Sequence, residues 1–132
     1  MTLVIDASVA SKWVLPESDS EKAAALRGSE SLIAPSLVTA EIGNALWKSS
    51  MRGDVPTADA GNMLRVAVAH FAQLVPTEDL AASALRFALD LRHPIYDCFY
   101  LALAERETAT LVTADARLLA AAKKAKVKAR QL

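Results

Sequence analysis

Residues 2–8, TLVIDAS, place a short apolar run directly before a single carboxylate, Asp6. A run of this length is typical of a buried strand, and a helical pattern follows it from Ala7 to about Leu15. A strand that passes directly into a helix is the repeating unit of parallel α/β sheets. In such sheets ligands bind in the crevice beyond the carboxyl ends of the strands, so Asp6 is the first candidate functional residue.

Strand and helix patterns alternate along the rest of the chain. Because parallel strands need crossover connections that cover the sheet, this alternation predicts a mainly parallel sheet of four to five strands with helices on both faces. After residues 2–5, strands are expected at Leu32–Ala34, Leu74–Val75, residues 110–113 and, at the sheet edge, Val127–Ala129. After the first helix, others are expected at Ser20–Arg27, residues 36–52, from Thr57 onward, Glu78–Leu91, Tyr96–Arg106 and Ala116–Lys124.

The composition indicates one domain of the cytoplasm. The 132 residues are 53% apolar, so a single domain spanning residues 1–132 can bury a core without disulfides. The only cysteine, Cys98, lies in an apolar run and is expected in the core, which fits a reducing compartment. No apolar run approaches the roughly 18 residues that a membrane span needs, so we expect no membrane partner.

Charges balance over the whole chain but not locally. Fifteen basic and fifteen acidic residues cancel, so the net charge gives no argument for nucleic-acid binding. From Ala116 to the C-terminus there is no acid, but there are six basic residues: Arg117, Lys123, Lys124, Lys126, Lys128 and Arg130. This basic C-terminal segment predicts either a contact surface for phosphates or lysines that complement the dipole of a helix end.

Four carboxylates lie where apolar segments end, where helices begin, or beside the apolar stripe of a helix: Asp6, Glu41, Asp97 and Asp115. Taken singly, the three aspartates fit the preference of Asp for helix N-termini. Taken together, the four acids predict a site for a hard cation such as Mg²⁺ or Mn²⁺, which binds oxygen ligands and keeps several waters.

Two hydroxyl groups accompany these acids. Ser8 lies two residues after Asp6, and Thr113 lies two residues before Asp115, so both are expected to orient carboxylates or metal-bound water. One or two metal ions held in this way activate water and neutralise the leaving oxygen of a phosphodiester. The pattern therefore favours hydrolysis of phosphodiester bonds.

Four short motifs follow one another in order along nearly the whole chain. They are Asp6-Ala7-Ser8, Glu41 with Asn44-Ala45-Leu46, Tyr96-Asp97 with Tyr100-Leu101-Ala102-Leu103-Ala104, and Leu111-Val112-Thr113-Ala114-Asp115. In this order and spacing they resemble the PIN domain, and more narrowly the VapC toxins of type II toxin–antitoxin pairs.

The resemblance implies a three-layer α/β/α sandwich and an endoribonuclease that depends on Mg²⁺ or Mn²⁺ and hydrolyses RNA with metal-activated water. It also implies a cognate VapB-type antitoxin and a homodimer. Carried over residue by residue, the metal-binding and catalytic positions are Asp6, Glu41, Asp97 and Asp115, with Ser8 and Thr113 as supporting polar groups.

Two other functions compete with this one. A phosphate-receiving regulatory domain expects paired acids after the first strand and a lysine after the last, whereas this chain has only Asp6 and no lysine closing residues 110–113. A PIN-like scaffold that binds RNA or protein without cutting would be favoured by the loss of an acid, and none is lost.

The remaining aromatic, basic and histidine residues are weaker candidates for functional roles. Trp13 and Trp47 are expected in the core or in a subunit contact, with base stacking as the alternative. Lys12 and Lys48 are expected to contact phosphates. Neither His70, in a predicted helix, nor His93, in a loop, is assigned to a metal.

Overall fold

A five-stranded, all-parallel sheet organises the computed structural model, which describes residues 1–28 and 30–132. The strands are β1 (Thr2–Ile5), β2 (Ser31–Pro35), β3 (Gln73–Val75), β4 (Thr110–Thr113) and β5 (Ala129–Gln131). Their order across the sheet is β3-β2-β1-β4-β5, so β1 is central and pairs with β2 and β4. The predicted sheet is confirmed.

Within the described residues, seven α-helices connect the strands: α1 (Ala7–Ala10), α2 (Ser20–Ala24), α3 (Leu37–Met51), α4 (Thr57–Val68), α5 (Thr77–Leu91), α6 (Ile95–Glu107) and α7 (Ala116–Lys124). Crossovers between parallel strands are right-handed. The chain moves in one direction from β1 to β3 and in the other from β3 to β5, so α1–α4 cover one face and α5–α7 the other. The three-layer α/β/α sandwich is therefore confirmed. None of the described helices is both long and apolar enough to cross a membrane.

The sheet has a topological switch point between β1 and β4. The chain leaves β1 toward β2 and leaves β4 toward β5, so the helices that follow these two strands diverge and open a crevice at their carboxyl ends. Asp6 is the first residue after β1, and Asp115 lies two residues after β4. The topology thus places both acids at one crevice.

Helix α6 is the most buried helix in the core. Its side chains at Cys98 and at residues 100–104 are buried, and the helix contacts β1, β2, β4 and α5. A helix that is apolar on nearly all sides fits this enclosed position. Cys98 is a core residue, as predicted, and burial raises the pKa of its thiol to about 11, so it is a poor nucleophile.

Three predicted elements have different bounds in the structure. The first helix ends at Ala10 and continues as a single 3₁₀ turn, Ser11–Trp13, because Pro16 disfavours helical backbone just before it. The second helix ends at Ala24, three residues before the predicted end, and gives way to turns.

The last strand is also displaced. It begins at Ala129 and not at Val127, because the end of α7 uses the intervening residues. Lys126 adopts the left-handed conformation (φ 59°), and the Val127 N–H donates to the Ala122 carbonyl at 2.9 Å. These features form a helix C-cap, so strand pairing starts only after it.

Truncation of Leu103 should destabilise the protein far more than the same truncation on the surface. Leu103 is fully buried in α6, whereas Leu89 in α5 is 70% exposed. Leu103→Ala should lower the free energy of unfolding by roughly 2–5 kcal/mol, because the loss of apolar transfer and the new cavity add. Leu89→Ala should cost less than about 0.5 kcal/mol. Urea denaturation followed by circular dichroism measures both, and equal losses would contradict the central position of α6.

Candidate active site

Asp6 lies at the carboxyl end of the central strand and accepts hydrogen bonds on both carboxylate oxygens. Ser8 Oγ donates to Oδ1 at 2.6 Å, and Thr113 Oγ1 donates to Oδ2 at 2.6 Å. The Val9 N–H also donates to Oδ1, at 3.2 Å, which makes Asp6 the N-cap of α1. Ser8 Oγ in turn accepts the Ala114 N–H at 3.0 Å. The two hydroxyls named from the sequence thus fix the plane of this carboxylate.

The environment of Asp6 opposes its ionisation. Burial raises the pKa of Asp6 to about 6, against the lowering effect of its hydrogen bonds, and the negative charge of Asp115 adds to the rise. The side chain is only 5% exposed and forms no ion pair with any described residue. A buried carboxylate without a counter-charge is costly, and such a perturbed group in a crevice is typical of a functional site.

Glu41 enters the site from α3 and is tied to α6. The Tyr100 hydroxyl donates to Glu41 Oε1 at 2.6 Å. Burial, followed by the charge of Glu41, raises the pKa of Tyr100 well above its usual value, so the phenol remains a donor. Burial also raises the pKa of Glu41, and the charges of Asp6 and Asp97 raise it further. The three acids therefore lie within electrostatic reach of one another.

Asp97 is held by a histidine and also lies near the start of a helix. As the sequence predicts, it lies in the first turn of α6, where the helix dipole favours an anion, and no side chain caps that helix. His93 Nε2 lies 2.7 Å from Asp97 Oδ2, one helical turn earlier in the chain. This short contact ties the carboxylate of Asp97 to the ring of His93.

Asp115 combines the two interpretations that the sequence left open. Its Oδ1 accepts the Arg117 N–H at 2.8 Å, so it is the N-cap of α7. Its charge also raises the pKa of Asp6, which places it in the same electrostatic environment. Capping and participation in an acidic site are therefore compatible here, as they are for Asp6.

The four acids are coupled by their charges but do not form a closed cluster. Among the described residues, Glu41 Oε2, Asp97 Oδ1 and Asp115 Oδ2 receive no hydrogen bond, and none of the three is buried without a partner. In the same part of the chain, no three His, Cys, Asp or Glu side chains are spaced to hold a metal ion directly. This open, all-oxygen arrangement fits a hard cation that keeps several waters.

A cavity of about 390 Å³ opens beside Glu41, between α1, α3 and the start of α6. We call it the Glu41 cavity. Its polar lining comes from Ser8, Ser11, Glu41, Asn44 and the exposed Tyr96. Neutral hydrogen-bonding groups and an exposed aromatic ring are suited to a ribose or a base.

Comparison with known proteins identifies the family. The model of the family described as PIN domain matches residues 3–124. The chain belongs to the PIN domain family. Ribonuclease VapC3 of Pyrobaculum aerophilum is 36% identical to this PIN domain over 121 residues, which cover 89% of this chain and 92% of the relative.

Solved structures share the fold. PAE2754 from Pyrobaculum aerophilum has a TM-score of 0.71 and 28% identity to this PIN domain, covering 99% of this chain and 92% of that one. VapBC2 from Rickettsia felis, solved bound to a DNA fragment from the promoter, has a TM-score of 0.69 at 16% identity and covers 100% of this chain and 99% of that one. At this low identity the second likeness supports the fold alone.

Two residues of the site in this PIN domain do not stand out in the sequence. Tyr100 belongs to a motif but has no predicted role there, and His93 was expected to lie in a loop without a metal. His93 and Asp97 are four residues apart, and this spacing is the one sequence feature that could have predicted their contact. Glu41 and Tyr100 are 59 positions apart, so no local pattern could pair them.

The structure also shows the surroundings of Lys12 and of the two tryptophans. Lys12 was expected to contact phosphate, but its ammonium is paired with Glu17 and, at 3.1 Å, with Asp19. Trp13 is a core residue whose indole donates to a backbone carbonyl at 2.9 Å, whereas Trp47 is 57% exposed.

His70 lies beyond the end of α4 and not within a helix. Its Nε2 lies 3.2 Å from a guanidinium nitrogen of Arg27, and its ring contacts that of Trp13. It therefore lies apart from the acids and has structural partners of its own.

The metal-free protein should lose stability as the pH rises through the titration of Asp6. Asp6 is ionised in the unfolded chain above about pH 4, but in the folded protein only above about pH 6. Between these values the folded state holds a proton that the unfolded state has released, so rising pH favours unfolding. The change attributable to Asp6 is on the order of 3 kcal/mol.

Denaturation in EDTA at several pH values measures this effect. Asp6→Asn should remove it, whereas Asp59→Asn, which removes an exposed carboxylate of α4, should keep the wild-type pH dependence. Identical pH profiles for wild type and Asp6→Asn would show that Asp6 is not the perturbed group.

Proposed function

We propose that the protein is a divalent-metal-dependent endoribonuclease, the toxin of a VapBC-type pair, acting on RNA in the cytoplasm. The single observation that carries the proposal is Asp6, a buried carboxylate at the switch point that hydrogen bonds hold in place and that no described residue neutralises. The 36% identity to a ribonuclease over most of both chains supports RNA as the substrate class.

The residues present fit Mg²⁺ or Mn²⁺. All four acids offer oxygen, which these ions prefer, and mutual repulsion among the carboxylates is relieved when a cation binds. Asp6, Glu41, Asp97 and Asp115 would hold the ion, in part through water, since no three of them are spaced as direct ligands. When bound, the metal supplies an activated water and neutralises charge on the leaving oxygen.

The protein's own contribution is to fix the carboxylates. Ser8 and Thr113 hold the plane of Asp6, Tyr100 holds one oxygen of Glu41, and His93 holds one oxygen of Asp97. Each of these hydrogen bonds restricts the rotation of the carboxylate that accepts it. Preorganised groups of this kind lower the barrier because they do not have to reorient during the reaction.

The antitoxin partner is supported by an apolar groove away from the acids. A groove of about 260 Å³ lies between α3 and α4, lined by Leu46, Trp47, Met51 and Leu64 with small residues between them. Trp47 and Met51 are 57% and 61% exposed. Exposed apolar surface of this kind is typical of a protein contact. We propose that it binds an apolar segment of a VapB-type antitoxin.

The resemblance to VapC proteins also leads us to propose a homodimer.

Loss of a site carboxylate should abolish cleavage and leave the fold intact. Asp6→Asn and Asp97→Asn should each reduce the rate of RNA cleavage by at least about two orders of magnitude, since each removes a charged group from the reacting centre. EDTA should stop wild-type cleavage, and added Mg²⁺ or Mn²⁺ should restore it. Products should carry 5′-phosphate and 3′-hydroxyl ends.

The control is Asp59→Asn, which should cleave at the wild-type rate. Cyclic phosphate products, or full activity in excess EDTA, would exclude hydrolysis by metal-activated water. RNA binding without any cleavage by the wild type would favour the scaffold alternative.

Trp47→Ala should weaken antitoxin binding and spare RNA cleavage. A buried aromatic anchor at an interface contributes about 2 kcal/mol or more, so affinity should fall about thirtyfold. The measurement is titration with a purified VapB-type antitoxin that binds the wild-type protein, together with RNA cleavage by the free variant. Leu89→Ala, an exposed apolar truncation outside the groove, is the control. Equal affinity for both variants would exclude this groove as the contact.

A further inference from the structure

A cleft of about 210 Å³ lies between α7 and the end of α5, and we call it the Arg117 cleft. Its lining combines three side chains that can carry positive charge with three apolar ones: Arg117, Lys124 and His93, with Leu91, Ala120 and Ala121. The four residues from α7 follow helical i, i+3, i+4, i+7 spacing, so one face of that helix forms the wall. No acidic side chain of the described residues lines it.

The basic C-terminal segment is not a single surface. Arg117 and Lys124 line the Arg117 cleft, whereas Lys126 and Lys128 line another cavity together with Glu105. The sequence alone could not separate these groups, because they follow one another within a dozen residues. The fold therefore places Arg117 and Lys124 in one cleft and places Lys126 and Lys128 in a different cavity.

Neither cation of the Arg117 cleft is neutralised within the protein. In the described part of the chain, Arg117 and Lys124 form no ion pair, in contrast to Lys12, which is paired with two acids. Lys124 lies in the last turn of α7 and complements the helix dipole. Arg117 lies in the first turn, beside the positive end of the dipole, where a cation is unfavourable. Helix stability therefore does not explain a basic residue at this position.

The cleft adjoins the carboxylates directly. The Arg117 N–H donates to Asp115 Oδ1 at 2.8 Å, and His93 Nε2 lies 2.7 Å from Asp97 Oδ2. The residues that line the cleft are thus the same ones that hold two of the four acids. The Glu41 cavity, by contrast, is lined by neutral groups and one acid, with no cation among its described residues.

We propose that the Arg117 cleft binds the backbone phosphate of RNA next to the phosphodiester that is cut. Arg117 and Lys124 contact this phosphate, and His93 joins the cleft to Asp97. This inference rests on the proposed nuclease function and extends it to substrate positioning. An arginine fork and a lysine are suited to one phosphate, and phosphate contacts set the register of a nucleic acid on a protein.

The test compares two double variants that remove the same amount of charge. Arg117→Gln with Lys124→Gln empties the cleft of its permanent cations, and Lys126→Gln with Lys128→Gln removes two cations from the same segment outside it. The probe is a short, fluorescein-labelled, single-stranded RNA of mixed sequence, with binding measured by anisotropy in EDTA over a KCl series. Thermal melting of both variants checks that the fold is retained.

The cleft variant should bind at least about tenfold more weakly, and its slope of log affinity against log salt should fall by about 0.7 for each phosphate that the protein no longer neutralises. The matched variant should keep the wild-type slope. In cleavage assays with Mg²⁺ or Mn²⁺, the cleft variant should show a raised KM with a nearly unchanged kcat, because the residues position the RNA and do not react.

A second probe locates the phosphate. A single uncharged methylphosphonate beside the cut bond should weaken wild-type binding but should not weaken binding to the cleft variant further. If both double variants show the same slope of log affinity against log salt while the wild type cleaves RNA, the cleft is not the phosphate site. The nuclease proposal would then still hold. The expected difference in slope without cleavage by the wild type would overturn the nuclease proposal and support the cleft as a phosphate site.

Discussion

The carboxylate of Asp6 is the constraint on which the rest of the site depends. It is buried at the end of the central strand and has no counter-charge among the described residues, and the hydroxyl and amide donors around it counteract the rise in its pKa that burial causes. Thr113, at the end of β4, supplies one of these donors, so the pairing of β1 with β4 builds the site as well as the sheet. A cation at this position stabilises the ionised form that burial opposes.

The other acids follow from the same sheet geometry. The crossovers diverge between β1 and β4, which opens the crevice, and α6 packs on these strands, where Tyr100 contacts Glu41 and the charge of Asp97 acts on Glu41. The cations are distributed unequally around this crevice. Lys12 is paired internally, whereas Arg117 and Lys124 remain free of ion pairs within the described residues. Helix α7 therefore has an acid of the site, Asp115, at its N-cap and the two unpaired cations on one of its faces.

Much of the fold could be predicted because its strands are short apolar runs and its helices carry clear periodicity. The acids could be predicted because Asp6 and Asp115 follow strands, which is a local feature. The partners of these acids were harder to predict. Tyr100 lies in a run of core residues that resembles ordinary packing, and its contact with Glu41 exists only once α3 and α6 meet. The start of β5 was hard to place for a different reason, since the helix C-cap that delays it has the left-handed Lys126 and no glycine to mark it.

The hydrogen bond between Thr113 and Asp6 joins residues 107 positions apart. During translation β1 is therefore made well before β4. A nascent chain that does not yet include β4 lacks both the strand beside β1 and the hydroxyl that fixes Asp6. Since domains fold as units during synthesis, the acidic crevice is completed only after β4 has been made. A chain that is still short of β4 therefore carries no finished site.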